Sequence, residues 1–494
     1  MDAPVIIVGA GPVGLSLGIA LAHHRVRSTV LERNAQPEPE SRALLVVPRT
    51  AEILRDWGAF DALRAAGSWR ESIDLCAVGI AQRILCLDFA CLADVIEPAG
   101  ALLIPQNETE RVLRDLVAHS DLCELRTGCE VTGVEQSPSG VTAVFETGGA
   151  TQRLAGRFLV GCDGAHSVVR ESLGLALQGI TYRAKAVLSD ELVEGTPWSL
   201  PSPRVAFSGG RLGIGIEYAP NRWRVIALLP GDEASGDPLD AAAHAARLAA
   251  VFGKGFSSRT IWSSLFSIHR RHAERFVTGA IALAGDSAHL NSPAGGQGMN
   301  AGIQDSANLA WKLAYAVWGK SDVHTLLRSY NSERQEQITG GVEKLTDAIT
   351  RVGVGGAKWF GAAPLRIAGR LLAEPGMQRK ACRAMGMLGG RYTKSEIVDP
   401  HHPLAGRRID DLVLEDGSRI SEKRAGEAAL LVVGNAPKPQ FEATVIALPS
   451  PPRHWHLHGD AALVIRPDGI VASVVEKPEP ARIESAWRRS FALA

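Results

Sequence analysis

Apolar residues near the start of the chain fall into short continuous runs separated by a segment with helical spacing. Val5–Val8 is entirely apolar and leads into the turn-forming segment Gly9-Ala10-Gly11-Pro12-Val13-Gly14. A helical pattern then continues to about His24, and a second apolar run occupies Ser28–Leu31. Short apolar runs of this kind are typical of buried parallel strands. Residues 4–33 therefore predict strand, turn, helix and strand, the first unit of a doubly wound α/β sheet.

The middle of the chain continues this alternation and then changes character. Helices are predicted at about 50–63, 109–118 and 301–318, a β-meander at about 124–134 and 141–147, and a returning buried strand at 157–164. From 178 to 270 short strands with Pro and Gly punctuation dominate, including Arg204–Phe207, Leu212–Glu217 and Trp223–Leu229. This pattern predicts a separate antiparallel layer.

The carboxy-terminal third divides into a helical and an extended region. Residues 321–390 are largely helical in pattern and carry an excess of basic side chains, which predicts a solvated face or a subunit contact such as that of a homodimer. After them, short apolar strands alternate with turns, which favours a small α/β appendage. The predicted units are therefore 1–177, 178–270, 271–395 and 396–494.

Composition narrows the class of protein. The 494 residues fit two or three domains, and 53 basic and 53 acidic side chains leave no net charge to attract nucleic acid or an acidic membrane. Seven cysteines without a Cys-x-x-Cys pair predict buried, reduced thiols. Met1–Pro4 lead directly into the first strand, and no apolar run approaches the ~18 residues that span a bilayer, so we expect a cytoplasmic protein.

The first candidate site is the glycine turn. Gly9, Gly11 and Gly14 follow a strand and open a helix, and Glu32 ends the second strand. In this context the glycines allow a tight turn and close approach of a pyrophosphate, while the carboxylate accepts hydrogen bonds from ribose hydroxyls. The pattern predicts a bound FAD or NAD, and Glu32 argues against a 2′-phosphate.

The second candidate site is Asp163-Gly164-Ala165-His166-Ser167-Val168-Val169-Arg170. The acid and the glycine at a strand end, with Ser167 and Arg170 on the next turn, could hold pyrophosphate oxygens or receive a pyridine nucleotide. The alternative is a capped helix start with a surface arginine. The residues alone do not choose between these interpretations.

The third candidate site follows another apolar strand. Gly285-Asp286 ends this strand, and the loop Pro293-Ala294-Gly295-Gly296-Gln297-Gly298-Met299-Asn300 leads into a helix. Such a carboxylate can bind a ribityl hydroxyl, and free N–H groups at the helix start can stabilise an anion such as a reduced flavin. A merely glycine-rich junction is the alternative.

Taken together, these motifs resemble the class A flavoprotein aromatic hydroxylases, the para-hydroxybenzoate hydroxylase superfamily, and most closely its polyketide-tailoring branch. The resemblance covers most of residues 4–335. It also includes Ser41-Arg42-Ala43 with Pro48-Arg49-Thr50-x-Glu52, Pro105-Gln106 with Thr109-Glu110, and Asp305 with Asn308 to Lys312. In place of the proline that the family often shows before its substrate sheet returns, the chain has Arg211 to Tyr218.

The resemblance implies an FAD-binding domain, an inserted antiparallel substrate domain, a helical middle segment and a thioredoxin-like tail without a redox pair. It implies that Glu32 binds the adenosine ribose, that Asp286 binds the ribityl chain or pyrophosphate, and that Asp163 with Arg170 also admits NAD(P)H. The implied cofactor-binding residues are Gly9, Gly11, Pro12, Gly14, Glu32, Arg33, Arg42, Gln106, Asp163, Arg170, Asp286, Gly295, Gly296, Gly298, Met299 and Asn300.

The implied reaction begins with reduction of FAD by NADPH or NADH. Molecular oxygen then adds at the flavin C4a position, and the hydroperoxide attacks an aromatic carbon of a phenolic small molecule. A Baeyer-Villiger oxygenase and a non-catalytic flavin-dependent binder of an unstable intermediate are the alternatives. The Trp-x-Trp-x-Ile-Pro segment expected of a flavin halogenase is absent from the sequence.

Near the ring, Arg42, Pro293 and His289 are the catalytic candidates. His289 has a second interpretation as a hydrogen-bonded structural histidine. Trp198, Phe207 and Trp223 could stack on a flat substrate, and core packing is their alternative use. No His, Asp or Glu spacing suggests a metal site.

Overall fold

The computed structural model describes residues 4–37, 42–77, 83–194, 203–208, 211–229, 240–252, 257–291, 296–342, 367, 369–371 and 373–493. The structural statements that follow concern these residues.

The described elements alternate strands and helices along most of the chain. The strands are β1 (Val5–Val8), β2 (Ser28–Glu32), β3 (Leu45–Val46), β4 (Ser68–Arg70), β5 (Ser72–Ala77), β6 (Arg83–Asp88), β7 (Ala101–Leu103), β8 (Cys123–Thr127), β9 (Glu130–Ser137), β10 (Gly140–Thr147), β11 (Ala150–Gly156), β12 (Phe158–Gly161), β13 (Leu177–Glu194), β14 (Arg204–Ser208), β15 (Arg211–Ala219), β16 (Arg222–Leu229), β17 (Ser257–Ala273), β18 (Val277–Thr278), β19 (Ile281–Leu283), β20 (His289–Leu290), β21 (Ala429–Val433), β22 (Thr444–Leu448), β23 (Ala461–Ile465) and β24 (Val471–Glu476). The α-helices are α1 (Pro12–His23), α2 (Pro48–Asp56), α3 (Phe60–Ala66), α4 (Gln106–Ala118), α5 (Val168–Ser172), α6 (Ala241–Phe252), α7 (Gly298–Val317), α8 (Val323–Gln337), α9 (Pro375–Met385), α10 (Ile420–Arg424) and α11 (Pro480–Ser490). Shorter turns of helix lie at Phe89–Leu92, Gly285–Ser287, Ile338–Val342 and Arg453–Trp455.

A six-stranded sheet forms the centre of the molecule, in the order β18-β19-β12-β1-β2-β8. All neighbours are parallel except β18 and β19. Every residue of β1 is buried, as expected of a parallel strand covered on both faces. One apolar core includes residues of this sheet, α1, α4 and α7. The doubly wound α/β arrangement predicted from the sequence is confirmed.

The β-meander is present but its boundaries differ from the prediction. The single strand expected at 124–134 is two strands, because Gly128 between them has a φ of 66° and ends the first. β8 joins the central sheet, whereas β9 pairs with β10 and β10 with β11 in an antiparallel sheet of three. The helix expected at 50–63 is likewise two helices, α2 and α3, separated by Gly58 with a φ of 73°.

The antiparallel layer is wider than predicted. Its eight strands lie in the order β20-β17-β13-β16-β15-β14-β5-β6, and neighbours are antiparallel except β14 and β5, which are parallel. β13 and β17 form its long central pair, and β5 and β6 enter it from residues 72–88, outside the range 178–270. A small third sheet has the order β3-β7-β4, and its strand β4 leads directly into β5 of the antiparallel layer.

The carboxy-terminal appendage is a four-stranded sheet in the order β22-β21-β23-β24. β21 and β22 are parallel, and the other two pairs are antiparallel. Two apolar clusters cover the sheet, and one of them includes Trp311 of α7 and Leu326 of α8. The appendage therefore packs directly on helices of the FAD-binding half of the predicted fold.

Two further expectations concern compartment and thiols. Among the described residues, no helix combines the length and the apolar character required to cross a membrane. The seven cysteines are free; Cys76, Cys123, Cys129 and Cys382 are buried, while the other three are half-buried.

Candidate active site

The glycine turn between β1 and α1 shows why its three glycines differ. Gly9 has a φ of 102°, and a Cβ there would lie 2.5 Å from the Cys162 carbonyl oxygen. A Cβ at Gly14 would lie 2.0 Å from the Gly9 carbonyl oxygen, whereas one at Gly11 would meet no described atom within 4 Å. Gly9 and Gly14 are therefore required by backbone packing, and Gly11 borders open space.

The start of α1 faces this open space without a cap. Pro12 lies in the first turn, and no side chain of the described residues accepts a hydrogen bond from the first N–H groups. Uncapped N–H groups at a helix start are suited to a phosphate or another anion. Arg114 of α4 donates to the Ala10 carbonyl oxygen at 3.2 Å. Its Nε is buried and lacks a hydrogen-bond partner among the described residues.

Glu32 joins the second strand to the glycine turn. One carboxylate oxygen accepts from the Ala10 N–H at 2.7 Å and the other from the Asn34 N–H at 2.9 Å. The side chain is buried, and both oxygens retain lone pairs for a further donor. Arg33, the next residue, is exposed.

Asp163 follows β12 at the same edge of the sheet. Its carboxylate accepts from the Ser167 hydroxyl at 2.6 Å and from the Val169 N–H at 3.1 Å, so it caps the start of α5. Burial raises the pKa of Asp163, and these hydrogen bonds oppose that rise. Arg170 is buried, not at the surface, and donates to the carbonyl oxygens of Ala165 and Ser287. The predicted cap is present, but its arginine joins the second candidate site to the third.

Gly285 and Asp286 form a turn whose backbone is hydrogen-bonded to the Asp305 carboxylate. Gly285 has a φ of 63°, and its N–H donates to Asp305 at 2.9 Å. Asp305 also accepts from Arg334 Nε at 2.6 Å. Burial disfavours charge on Asp305, yet His289 and Arg334 outweigh burial and hold its pKa below the usual range. A fixed anion therefore positions the turn.

Asp286 is exposed beyond the carboxyl end of β19, the edge at which doubly wound sheets have their ligand cleft. Its side chain is reached by solvent, but surrounding protein raises its pKa, an effect that nearby His289 and Arg42 oppose. A carboxyl group that is open to solvent and still deep among protein atoms is suited to a ligand that fills the cleft.

His289 is fully engaged by its neighbours. Its Nε2 lies 2.7 Å from Asp305 and its Nδ1 lies 3.1 Å from the Asn291 side chain, and the ring is buried. This geometry supports the alternative interpretation, a hydrogen-bonded structural histidine.

The start of α7 is anchored by Asn300. Its Oδ1 accepts from the Val47 N–H at 3.0 Å, and its Nδ2 donates to the carbonyl oxygens of Leu45 and Gly296 at 2.8 Å. Gly298 begins the helix next to open space, Met299 is half-buried against the core, and no described side chain caps the helix. Gln297 Oε1 is buried with no partner in the described part of the chain. Pro293 and Gly295 lie outside the described residues.

Side chains of α4, α7 and β16 hold the Arg42 segment, residues 42–47, in place. Gln106 accepts from the Ala43 N–H at 3.1 Å, and Asn300 binds the same segment farther along. Arg224 donates to the carbonyl oxygens of Arg42 and Ala43 at 3.1 and 2.9 Å. The Arg42 side chain is exposed.

Arg224 is a residue that sequence reasoning missed, as is its partner Asp190. Arg224 is buried and makes two hydrogen bonds to Asp190, at 2.8 and 2.9 Å, and Trp262 donates to the same carboxylate. The only sequence signal is an arginine inside the apolar strand pattern 223–229, which rarely occurs without a buried partner. Arg224 thus links the antiparallel layer to the Arg42 segment.

The aromatic substrate candidates are not brought together by described side chains. Trp198 lies outside the described residues, and only the backbone of Phe207, in β14, is described. Trp223 is 4% exposed, and the Arg204 guanidinium lies 5.8 Å from its ring centroid. The position of Trp223 supports its alternative use in core packing.

These features fit FAD. A carboxylate at the ribose position, open space at Gly11, uncapped helix starts at α1 and α7 and the unpartnered Arg114 Nε are what an anionic dinucleotide would complete. The three candidate sites meet at the carboxyl ends of β1, β2, β12 and β19, the edge at which doubly wound sheets bind ligands.

Comparisons with known proteins agree with this geometry. Residues 2–344 match the family described as FAD binding domain. An uncharacterized aromatic compound monooxygenase of Bacillus subtilis is 32% identical, covering 97% of this chain and 96% of that protein. The 12-dehydrotetracycline 5-monooxygenase/anhydrotetracycline 6-monooxygenase of Streptomyces rimosus is also 32% identical, covering 94% of each chain.

A solved structure extends the likeness to the whole fold. The anhydrotetracycline hydroxylase OxyS from Streptomyces rimosus superposes with a TM-score of 0.81 at 30% identity, and the match covers 100% of both chains. The chain therefore belongs to the FAD binding domain family, and it is an FAD-dependent monooxygenase that uses NAD(P)H and oxygen.

Proposed function

We propose that this monooxygenase hydroxylates a polycyclic phenolic small molecule of the polyketide type. The observation that carries the proposal is the meeting of the glycine turn, Glu32 and the Asp286 turn at one edge of the central sheet, beside the antiparallel layer. The relatives named for tetracycline intermediates support the substrate class.

Each residue then has a role in binding. Glu32 accepts hydrogen bonds from the adenosine ribose, and the start of α1 with Arg114 binds the pyrophosphate. Asp286 binds the ribityl chain, and Arg42, with Gln106 supporting its segment, contacts the cofactor. The N–H groups of Gly298 and Met299 hold negative charge at the ring.

When bound, FAD supplies electron transfer from NAD(P)H and activation of oxygen. The residues of the chain position the cofactor and exclude water from the site. Arg224 and Asp190 hold the Arg42 segment against the antiparallel layer. Asp163 and Arg170 keep the neighbouring turn fixed where the nicotinamide nucleotide approaches. Pro293, Gly295 and His289 remain predictions for the ring's surroundings.

The experiment is a visible spectrum of the purified protein, followed by NADPH addition without oxygen. A flavin band that NADPH bleaches, and oxygen restores, is expected. Product structures from a panel of polycyclic phenols and ketones then decide the reaction. A hydroxylated ring supports the proposal, an oxygen inserted beside a ketone indicates the Baeyer-Villiger reaction, and binding of the compounds with neither NADPH consumption nor an oxygenated product indicates a non-catalytic binder.

The role of Asp286 is tested by Asp286→Asn. Loss of a charge-assisted hydrogen bond, worth about 1.5–3 kcal/mol, is expected to weaken FAD binding by about tenfold or more. Fluorescence titration of the apoprotein with FAD measures this loss. Asp121→Asn, at an exposed position, is the matched control; equal affinities of the two variants would remove Asp286 from the site.

Location and assembly are further parts of the proposal. A demand for NAD(P)H and seven free thiols fits a reducing compartment such as the cytoplasm. We also propose a homodimer, which size-exclusion chromatography with light scattering tests.

A further inference from the structure

Two histidines and a glutamate meet at the end of α1 that lies away from the glycine turn. His23 is the last residue of α1 and His24 follows it. Twelve residues of helix separate this end from the cofactor turn by about 18 Å. Glu427 belongs to the turn between α10 and β21 in the carboxy-terminal appendage. The cluster therefore lies where the two halves of the molecule touch.

The ligand atoms of the three side chains lie close to one another. His23 Nε2 lies 3.9 Å and His24 Nδ1 lies 3.7 Å from Glu427 Oε1. All three atoms lie within 4.8 Å of one another. Donors around a tetrahedral ion with bonds of about 2.1 Å are about 3.4 Å apart. The two distances to Glu427 therefore need to shorten by about 0.5 Å or less, and the distance between the two imidazole nitrogens by about 1.4 Å at most.

The backbone of the appendage is shaped to bring Glu427 to this point. Ala425 and Gly426 have φ values of 49° and 74°, the left-handed region that turns the chain sharply after α10. A Cβ at Gly426 would lie 2.5 Å from His23 Nε2. Only glycine permits both the conformation and the approach to the histidine.

The local polar groups favour a cation. His23 Nε2 is buried and has no hydrogen-bond partner anywhere in the described ranges. Leaving such an atom unpartnered costs about 1–3 kcal/mol unless something else supplies the contact. The nearby Arg424 is neutralised by an ion pair with Asp56 and also donates to the Pro467 carbonyl oxygen. It therefore adds little net positive charge against a bound ion.

We propose that His23, His24 and Glu427 bind a divalent transition-metal ion, with Zn²⁺ as the preferred occupant. Two imidazoles and a carboxylate are a common zinc donor set, and they favour Zn²⁺, Ni²⁺ or Co²⁺ over Mg²⁺ and Ca²⁺. The Glu427 side chain is 47% exposed, so the ion has an entry path and water can take the fourth position. The ion links α1 to the appendage and has no part in the flavin chemistry.

Sequence spacing gave no sign of this site, because Glu427 is 403 residues beyond His24 in the chain. Its two histidines are adjacent, a pattern without ligand spacing on its own. The fold alone supplies the third donor.

The test is a titration of the full, FAD-loaded chain with ZnCl₂ after chelator treatment, followed by calorimetry. We expect one equivalent of tight binding and a higher thermal midpoint with the metal, since an ion that binds only the folded state stabilises it. Glu427→Gln and His23→Gln are each expected to weaken binding at least about tenfold. His458→Gln, an exposed histidine elsewhere in the appendage, is the matched control.

The outcomes separate this site from adventitious binding by the seven thiols. Because Glu427 is half-exposed, its replacement by Gln changes no packing, and a retained flavin spectrum verifies the fold. If the wild type binds no Zn²⁺, or if Glu427→Gln and His23→Gln bind as tightly as His458→Gln, the proposal is wrong. Co²⁺ provides a second readout, since His23→Gln must alter its visible bands if the imidazole is a ligand.

Discussion

The cofactor cleft and the Glu333 cluster at the interface with the carboxy-terminal appendage are both rich in polar groups, but their hydrogen-bonding groups are satisfied differently. At the cleft, α1 and α7 start without caps and Arg114 Nε has no partner in the described ranges. At the interface, Glu333 of α8 accepts from Arg466, Lys312, Ser395 and Asn308, all at 2.6–2.9 Å.

The interface cluster is also neutral in charge. Glu333 and Asp468 balance Lys312 and Arg466, and all four side chains are buried. Buried charges are tolerated only when paired and hydrogen-bonded. A completed network thus has no need of a ligand, whereas the incomplete one at the cleft does. The comparison separates polar residues that maintain the fold from those that bind.

The largest effect is expected from Glu333→Ala. Removing this carboxylate leaves Lys312 and Arg466 buried with one acid between them, a loss of about 3–5 kcal/mol of unfolding free energy. Urea unfolding followed by circular dichroism measures it. Glu396→Ala, which breaks the exposed ion pair with Arg328, is the control and is expected to cost at most about 1 kcal/mol. Similar midpoints for the two variants would contradict the structural role of the cluster.

Glu52, a second buried acid at the interface with the appendage, makes the unfolding free energy depend on pH. Burial alone would raise the pKa of Glu52, but Arg408 and Arg49 outweigh it and lower the pKa from 4.5 to about 2. The folded state therefore binds fewer protons than the unfolded state between these values. This contribution to stability, about 3 kcal/mol, is present above pH 4.5 and is lost as the pH falls toward 2.

Glu52→Gln measures this contribution directly. The variant is expected to be less stable than the wild type at pH 7 and to approach it as the pH falls through the window, because a protonated Glu52 resembles glutamine. Denaturant midpoints at stepped pH values test the prediction. A difference between the two proteins that stays constant from neutral to acid pH would show that Glu52 is not held charged by the two arginines.

The fold was predictable where structure depends on neighbouring residues. The run Val5–Val8, the turn and Glu32 occupy their predicted places, because short buried strands and glycine turns have local patterns. The two boundary errors, at Gly58 and Gly128, arise from single glycines with positive φ inside otherwise continuous patterns. Each glycine was visible in the sequence, but its conformation was not.

The site was predictable only in part, for a related reason. The contact of Arg224 with Arg42 joins residues 182 apart in the chain, and it depends on how two sheets pack. His289 illustrates the opposite difficulty. Its position beside Gly285-Asp286 suggested chemistry, but Asp305, 16 residues later, occupies one ring nitrogen. Patterns in a single sequence identify which residues lie near the cofactor. They do not show which of those residues are already hydrogen-bonded to other protein groups.

The cleft itself is tested by comparing two glycines of one turn. Gly11→Ala adds a methyl group to open space, so the apoprotein is expected to lose less than about 1 kcal/mol, mainly at the helix cap. FAD affinity is expected to fall about tenfold, because the pyrophosphate must pass this point. Gly14→Ala instead meets the Gly9 carbonyl oxygen, so the unfolding free energy of the apoprotein and the FAD affinity should decrease together. Unchanged FAD binding by Gly11→Ala would place the phosphates elsewhere.

Arg224 has both kinds of role, maintaining the fold and positioning the cofactor site. Its hydrogen bonds to Asp190 maintain the fold, and it also donates to two backbone carbonyl oxygens of the segment that carries Arg42. Arg224→Lys keeps the charge and loses the forked contact with Asp190 and the carbonyl oxygens of Arg42 and Ala43. The smallest effect, a change of up to about threefold, is expected in the ratio of hydroxylated product to NADPH consumed, because a looser Arg42 segment admits water. Arg222→Lys, exposed on the same strand, is the control. A purely structural Arg224 would lower the unfolding midpoint and leave that ratio unchanged, whereas a positioning role changes the ratio even where the protein remains fully folded.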